Sequence, residues 1–241
     1  MSENNQSQSK RMSSAVLEGA SPKSAHTLHE DIYVSLRAAV MCGELHPGQA
    51  VPMRALAERF GTSIIPVRDA LRRLIAERAL SILSNRTVVV PRMPRRRFQE
   101  LLNVRLNVET MLARQAAERV TPAQIRLLEK INDEMRAEAV IGNVKAFLLA
   151  NQRFHFALYG AAQSTVMYPI VESLWMQAGP FLNAVSTKSG IKSATDNHLG
   201  VLRALRRGDS VEVGNAIASD IADAADVVLT SHDFLEQEDD V

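Results

Sequence analysis

Residues 47–74, PGQAVPMRALAERFGTSIIPVRDALRRL, constrain the fold of this chain more than any other stretch. Leu56, Ala57 and Phe60 recur at i, i+1 and i+4, which gives a first helix one apolar face. Gly61-Thr62-Ser63 interrupts it. Ser63 has the chemistry of an N-cap, and Pro66 falls in the first turn of the next helix, where a missing N–H costs nothing. Val67, Leu71 and Leu74 then space a second apolar face at i, i+4 and i+7, while Arg68, Arg72 and Arg73 occupy the opposite side. An arginine-faced helix held across a glycine turn by a packed first helix suits reading of the DNA major groove. Directly after it, Ser81-Ile82-Leu83 and Val88-Val89-Val90 read as short strands around the turn Ser84-Asn85-Arg86-Thr87. That hairpin is a wing, and Arg86 at its tip can reach a minor groove or a phosphate.

The charge distribution agrees. The net charge is only +1, but residues 1–97 hold 15 Lys and Arg against 8 Asp and Glu, and residues 98–241 hold 13 against 19. A basic half followed by an acidic half fits a DNA-binding head on a domain with another task. The single cysteine, Cys42, excludes an internal disulfide and a cysteine-rich zinc site. No apolar run is long enough to span a membrane. Residues 1–26, rich in Ser, Asn and Gln, read as a disordered tail rather than a signal peptide, so a cytoplasmic setting is expected.

After a head over residues 27–93, residues 94–241 show helical patterns and no strand. Breaks at Thr121-Pro122, Gly142-Asn143, Gln163-Ser164, Gly190 and Gly208-Asp209 leave helices at 95–119, 122–140, 144–162, 165–186, 194–207 and 210–231. The fold class expected is therefore mostly α: a winged helix-turn-helix, then an antiparallel bundle of about six helices. Polar residues fall inside the apolar stripes of that bundle. Asn151 and His155, one turn apart, interrupt Val144, Phe147, Leu148, Phe154 and Leu158. His198 precedes Val201, Leu202 and Leu205 on one face, and Asp220 edges the face of Ile217, Ile221, Ala224 and Val228. Arg105 sits among Leu101, Val104, Val108 and Leu112. Buried groups of this kind cost several kcal/mol each unless they satisfy one another. Two imidazoles, a carboxylate and an amide form a plausible N/O ligand set for a divalent metal, as well as a closed hydrogen-bonded core.

Both halves resemble one family. Residues 32–91, with CGEL, HPG, LAERFG and S-x-x-PVRDALRRL, resemble the winged helix-turn-helix of GntR-family bacterial transcription regulators. Three positions depart from the family pattern: Ile64 stands where arginine follows the serine, Thr87 where the wing tip has glycine, and Arg78 where glycine is common after the recognition helix. Residues 95–232 resemble the effector-binding FCD domain of the FadR-type subfamily, through R-L-N-V-E (Arg105 to Glu109), N-x-x-F-H (Asn151 to His155), His198, and A-x-x-x-D ending at Asp220.

The resemblance implies a ligand-responsive regulator that binds double-stranded operator DNA as a homodimer. It implies DNA contacts from Arg54, Ser63, Ile64, Ile65, Arg68, Arg72 and Arg86, with Ile64 suited to a thymine methyl rather than a guanine. It implies a divalent ion (Zn, Ni or Mn) on Asn151, His155, His198 and Asp220, where aspartate replaces the family's usual last histidine. A small organic acid would sit between that ion and Arg105, with Glu109 one turn on. The alternative from another class is a helical metalloenzyme, a hydrolase or lyase with a DNA-tethering head, because metal, Arg and Glu in one cavity also make a catalytic set.

Overall fold

The computed structural model describes residues 25–231 and 234–235. The expected tail thus lies outside the described residues except for Ala25 and His26, which open the first helix. The head consists of α1 (Ala25–Met41), α2 (Met53–Arg59), α3 (Ile64–Ala76), β1 (Ser81–Ile82) and β2 (Val88–Val89). Ile32, Leu36 and Val40 of α1 are buried with Val67, Leu71 and Leu74 of α3, which is the apolar periodicity turned into a packed core. The strands pair antiparallel with Ser81 opposite Val89 and Ile82 opposite Val88, and Ala50 adds a bridge to Val89.

Two local details differ from the sequence reading. Ser63 is the N-cap of α3 with extended backbone, but its side chain makes no capping hydrogen bond. Arg73 is exposed, as Arg68 and Arg72 are, but it is engaged within the head. It lies 3.5 Å above the ring of Tyr33 and pairs with Glu30 at 3.0 Å and Glu77 at 3.3 Å, within the head.

The bundle contains α4 (Arg95–Ala117), α5 (Pro122–Ile141), α6 (Val144–Ala161), α7 (Met167–Ala178), a 3₁₀ segment (Gly179–Val185), α8 (Lys188–Arg207) and α9 (Ser210–Ser231). Its boundaries follow from caps. Thr121 and Gln124 form a reciprocal capping box ahead of Pro122, and Gly142 ends α5 in the left-handed conformation at φ 72°. The stretch expected as one helix over 165–186 breaks at Gly179-Pro180, because proline has no N–H to continue the ladder. The helix expected from 194 begins six residues earlier, at Lys188. Gly190 does not break it: its N–H is taken by the N-cap Thr187, and a Cβ there would come within 2.4 Å of the Val185 carbonyl.

On α4 the inward face is Phe98, Arg105, Glu109, Leu112, Ala113 and Ala116. Val104, expected in the core stripe, is instead 46% exposed. Head and bundle meet where α1 rests on α7 and the 3₁₀ segment. Arg37 pairs with Glu172 at 2.8 Å, and Lys145 pairs with Glu44 at 2.7 Å. Between them Gly179 lies against α1, where a Cβ would fall 2.5 Å from the Val40 carbonyl and 2.6 Å from that of Met41. Near the start of α4, Phe98 packs on Phe181 and on Phe234, whose neighbour Leu235 bridges Pro94. No helix among the described residues is long and apolar enough to cross a membrane.

Candidate functional site

The bundle gathers polar side chains from five helices at one place. Asn151, His155 and Tyr159 lie one turn apart on α6; Arg105 and Glu109 come from α4, Trp175 from α7, His198 from α8 and Asp220 from α9. His155 Nε2 is 3.1 Å from Asp220 Oδ2 and 3.3 Å from His198 Nε2, and His198 Nε2 is 3.9 Å from Asp220 Oδ1. Both imidazoles are fully buried and Asp220 nearly so. The ring of His198 stacks on Phe154 at 3.9 Å, which fixes its plane.

The hydrogen bonds around the cluster set its protonation. Tyr159 donates its hydroxyl to Glu109 Oε2 at 2.7 Å, and burial holds that phenol well above its ordinary pKa. The remaining lone pairs of Tyr159 accept from His155 Nδ1 at 3.2 Å. With its proton on Nδ1, a neutral His155 turns a lone pair on Nε2 toward the Asp220 carboxylate. Burial pushes the carboxyl of Asp220 up, but His155, His198 and Arg105 pull it further down, so it is ionised. Burial, countered only in part by Asp220, lowers His198 to about 3, so it is neutral. In that tautomer of His155 two lone pairs face each other across 3.1 Å, and a cation between the donors relieves their repulsion.

The donor set fits a cation. Ligand bonds of about 2.1 Å place neighbouring ligand atoms about 3.0–3.4 Å apart, and two of the three separations here, 3.1 and 3.3 Å, lie in that range. Among the described residues His198 Nδ1 is buried without a hydrogen-bond partner, so none of them anchors that ring through its far nitrogen. Imidazole and carboxylate donors suit Zn, Ni or Mn.

Glu109 stands behind this cluster and is completely buried. Its Oε1 accepts from Arg105 Nε at 2.7 Å, and its Oε2 accepts from Tyr159 and, at 2.8 Å, from Trp175 Nε1. Both oxygens are thus committed to the protein, and Glu109 does not line the cavity. Arg105 does. Its guanidinium lies 5.1 Å from the Trp175 ring, and no protein acceptor among the described residues takes its terminal amino groups. The cavity it faces is walled by Phe147, Leu148, Asn151, His155, Asp220 and Ile221. Its volume is about 30 Å³, room for roughly two waters. Asn151 forms part of that wall and is half-buried.

Tyr159 and the role of Trp175 were not read from the sequence. Tyr159 lies at i+4 from His155 as His155 does from Asn151, which was the signal available. Nothing local marks Trp175, whose partner Glu109 lies 66 residues away.

The head presents the second candidate surface. Arg54, Ser63, Ile64, Ile65, Arg68, Arg72 and Arg86 are all exposed. Arg72 has only a distant partner, Asp69 at 3.8 Å, and Arg68 has none among the described residues. The left-handed residue at the wing tip is Arg86, φ 65°, one position before Thr87.

Comparison with known proteins matches both regions. Residues 28–90 match the model of the bacterial regulatory proteins of the gntR family, and residues 100–223 match the FCD domain. The HTH-type transcriptional regulator McbR of Escherichia coli (strain K12) is 28% identical over 177 residues, covering 72% of this chain and 80% of McbR. The HTH-type transcriptional repressor GlaR of the same strain is 25% identical over 152 residues, covering 60% and 68%. The solved structure of E. coli McbR/YncC superposes with a TM-score of 0.79 at 24% identity, covering 86% of this chain and 99% of that one.

Proposed function

The chain belongs to the gntR family of bacterial regulatory proteins and carries an FCD domain, and from that premise we propose a cytoplasmic repressor whose operator affinity is set by a small carboxylate. The matched families and the relatives named above are regulators, so the metalloenzyme alternative is not favoured. One of those relatives is a repressor, which supports the sign of regulation.

The observation that carries the ligand reading is the buried pairing of a metal-type donor cluster with Arg105 across one cavity. In this reading His155, His198 and Asp220 hold a divalent ion, with Asn151 at its edge. The ion supplies a Lewis-acidic partner for one carboxylate oxygen, and the free amino groups of Arg105 take the other. Glu109 fixes the guanidinium in that pose. The apolar wall of Phe147, Leu148 and Ile221 and the small volume select a compact acid. On the head, Arg54, Arg68, Arg72 and Arg86 meet phosphates and base edges, with Ser63, Ile64 and Ile65 at the start of the recognition helix α3.

One head buries too little surface for strong specificity, so two-fold pairing is physically expected. The outward face of α4 supports it. Leu101, Val104, Val108 and Met111 repeat at a spacing of 3, 4 and 3, with Val104 46% and Met111 59% exposed. A second copy of the same helix covers such a seam.

Elemental analysis of protein purified without chelator or affinity nickel tests the ligand set. About one divalent ion per chain is expected, lost in His155→Ala with His198→Ala. Metal-free protein that stays metal-free on incubation with Zn, Ni or Mn would defeat the reading. Trp175 is the only tryptophan, hydrogen-bonded to Glu109 beside the cavity. Its fluorescence therefore reports carboxylates screened on the metal-loaded protein.

A further inference from the structure

The start of α3 carries an apolar surface that the fold does not cover. Ile64 is 42% and Ile65 60% exposed, in the first turn of a helix whose opposite face, Val67, Ala70, Leu71 and Leu74, is buried. Ile65, Arg68 and Arg72 follow at i, i+3 and i+7, so one exposed stripe is apolar at its N-terminal end and cationic beyond it. The cationic part fixes the occupant. Arg68 has no ion-pair partner among the described residues, Arg72 only a loose one, and the helix is the second of a helix-turn-helix. A polyanionic duplex meets these charges, and the N-terminal turn of such a helix meets base edges.

Isoleucine neither donates nor accepts a hydrogen bond. The only apolar group that the standard bases present in the major groove is the C5-methyl of thymine. We propose that Ile64 and Ile65 read thymine methyl groups, so that at the centre of each half-site this protein selects a methyl group rather than a hydrogen-bonding pattern. The inference rests on the proposed operator binding and goes beyond it by naming the chemistry that is read. Its consequence is unusual for a base reader. 5-Methylcytosine places a methyl at the same point of the groove with a different hydrogen-bonding edge, and an isoleucine does not distinguish the two.

The test uses the full-length protein and a duplex selected by it from a randomised pool of ordinary DNA. At each conserved thymine of the selected site, the T·A pair is replaced in turn by U·A, 5-methyl-C·G and C·G, and affinity is measured by fluorescence anisotropy at fixed salt. At one or more positions per half-site, uracil should weaken binding about fourfold, the effect of one buried methyl group. At those positions 5-methylcytosine should bind better than cytosine by a similar factor. The double variant Ile64→Ala, Ile65→Ala removes only exposed side chains and should fold normally. It should bind thymine and uracil duplexes alike, with unchanged salt dependence. Equal affinity of the wild-type protein for thymine and uracil duplexes overturns the proposal, and so does a uracil effect that persists in the double variant. Selection of no duplex at all overturns the operator-binding reading together with this one, whereas binding indifferent to methyl groups leaves that reading intact.

Discussion

Arg78 and Arg86 sit in left-handed backbone at φ 60° and 65°, a conformation that costs a side-chain-bearing residue about 1–2 kcal/mol. Arg78 ends the turn after α3, where the resemblance led a glycine to be expected, so the departure read in the sequence has a local energetic meaning. Arg78→Gly should raise stability by about 0.5–1 kcal/mol, since glycine removes the strain but adds entropy to the unfolded chain. Urea denaturation checks it, and an unchanged or lower midpoint would count against the strain argument. Glu109 is the opposite case, a charge that the fold cannot lose. Glu109→Gln leaves Arg105 buried without its counter-charge and should cost about 3–5 kcal/mol. Arg105→Ala strands Glu109, though Tyr159 and Trp175 still donate to it. A smaller loss is expected there, together with disappearance of the carboxylate response in the Trp175 signal. A large fall in melting temperature with the response kept would make Arg105 a structural bridge and not a ligand clamp.

On α4 the sequence reading placed Leu101, Val104, Val108 and Leu112 in the core with Arg105 among them, and of these only Val104 is exposed. Leu101-Val104-Val108 and Phe98-Arg105-Leu112 are both periodic, so hydrophobicity alone does not say which turns further inward. Pairing with Glu109 lets Arg105 turn fully inward, so Leu101 and Val108 are left half-buried at the edge of the core, with Val104 and Met111 exposed beside them. The exposed run is the proposed dimer seam. Val104→Glu with Met111→Glu should therefore yield monomers in sedimentation at concentrations where the parent protein dimerises. The monomeric helices should remain folded by circular dichroism, and operator affinity should fall at least tenfold. A dimer that survives both changes would place the interface elsewhere.

At the scale of the molecule, α7 joins the cavity to the head. Its Trp175 holds Glu109, and three residues earlier Glu172 pairs with Arg37 of α1. Just beyond its end, Gly179 meets the α1 backbone at a distance that admits no side chain. A ligand that shifts Arg105 therefore acts on a helix in direct contact with both halves. Glu172→Gln breaks a partly solvated pair and should cost no more than about 1 kcal/mol. It should nevertheless reduce the ligand-induced change in operator affinity, typically about 5- to 150-fold for a coupling of this kind. Gly179→Ala should do so more completely, because the new methyl group forces α1 away from the bundle. Operator titrations with and without the carboxylate found by the Trp175 screen decide the matter. Coupling undiminished in both variants would exclude this route.

What the sequence determined by itself was local. The helix-turn-helix and wing, the break at Thr121-Pro122 and the span of α9 rest on chemistry within a few residues, so periodicity and turn residues suffice to place them. The unusual polarity of His155, His198, Asp220 and Arg105 was also legible, because each breaks its own helix's apolar stripe. Only the tertiary structure decided what these residues do to one another. Tyr159 fixes the proton on His155 only because Glu109, 50 residues away, takes the hydroxyl proton. How Glu109 of α4 is satisfied depends on donors from α6 and α7, and Gly179 has room for no side chain because of the α1 backbone it meets. Such choices are energies of pairs brought together by folding, and no single segment contains both members.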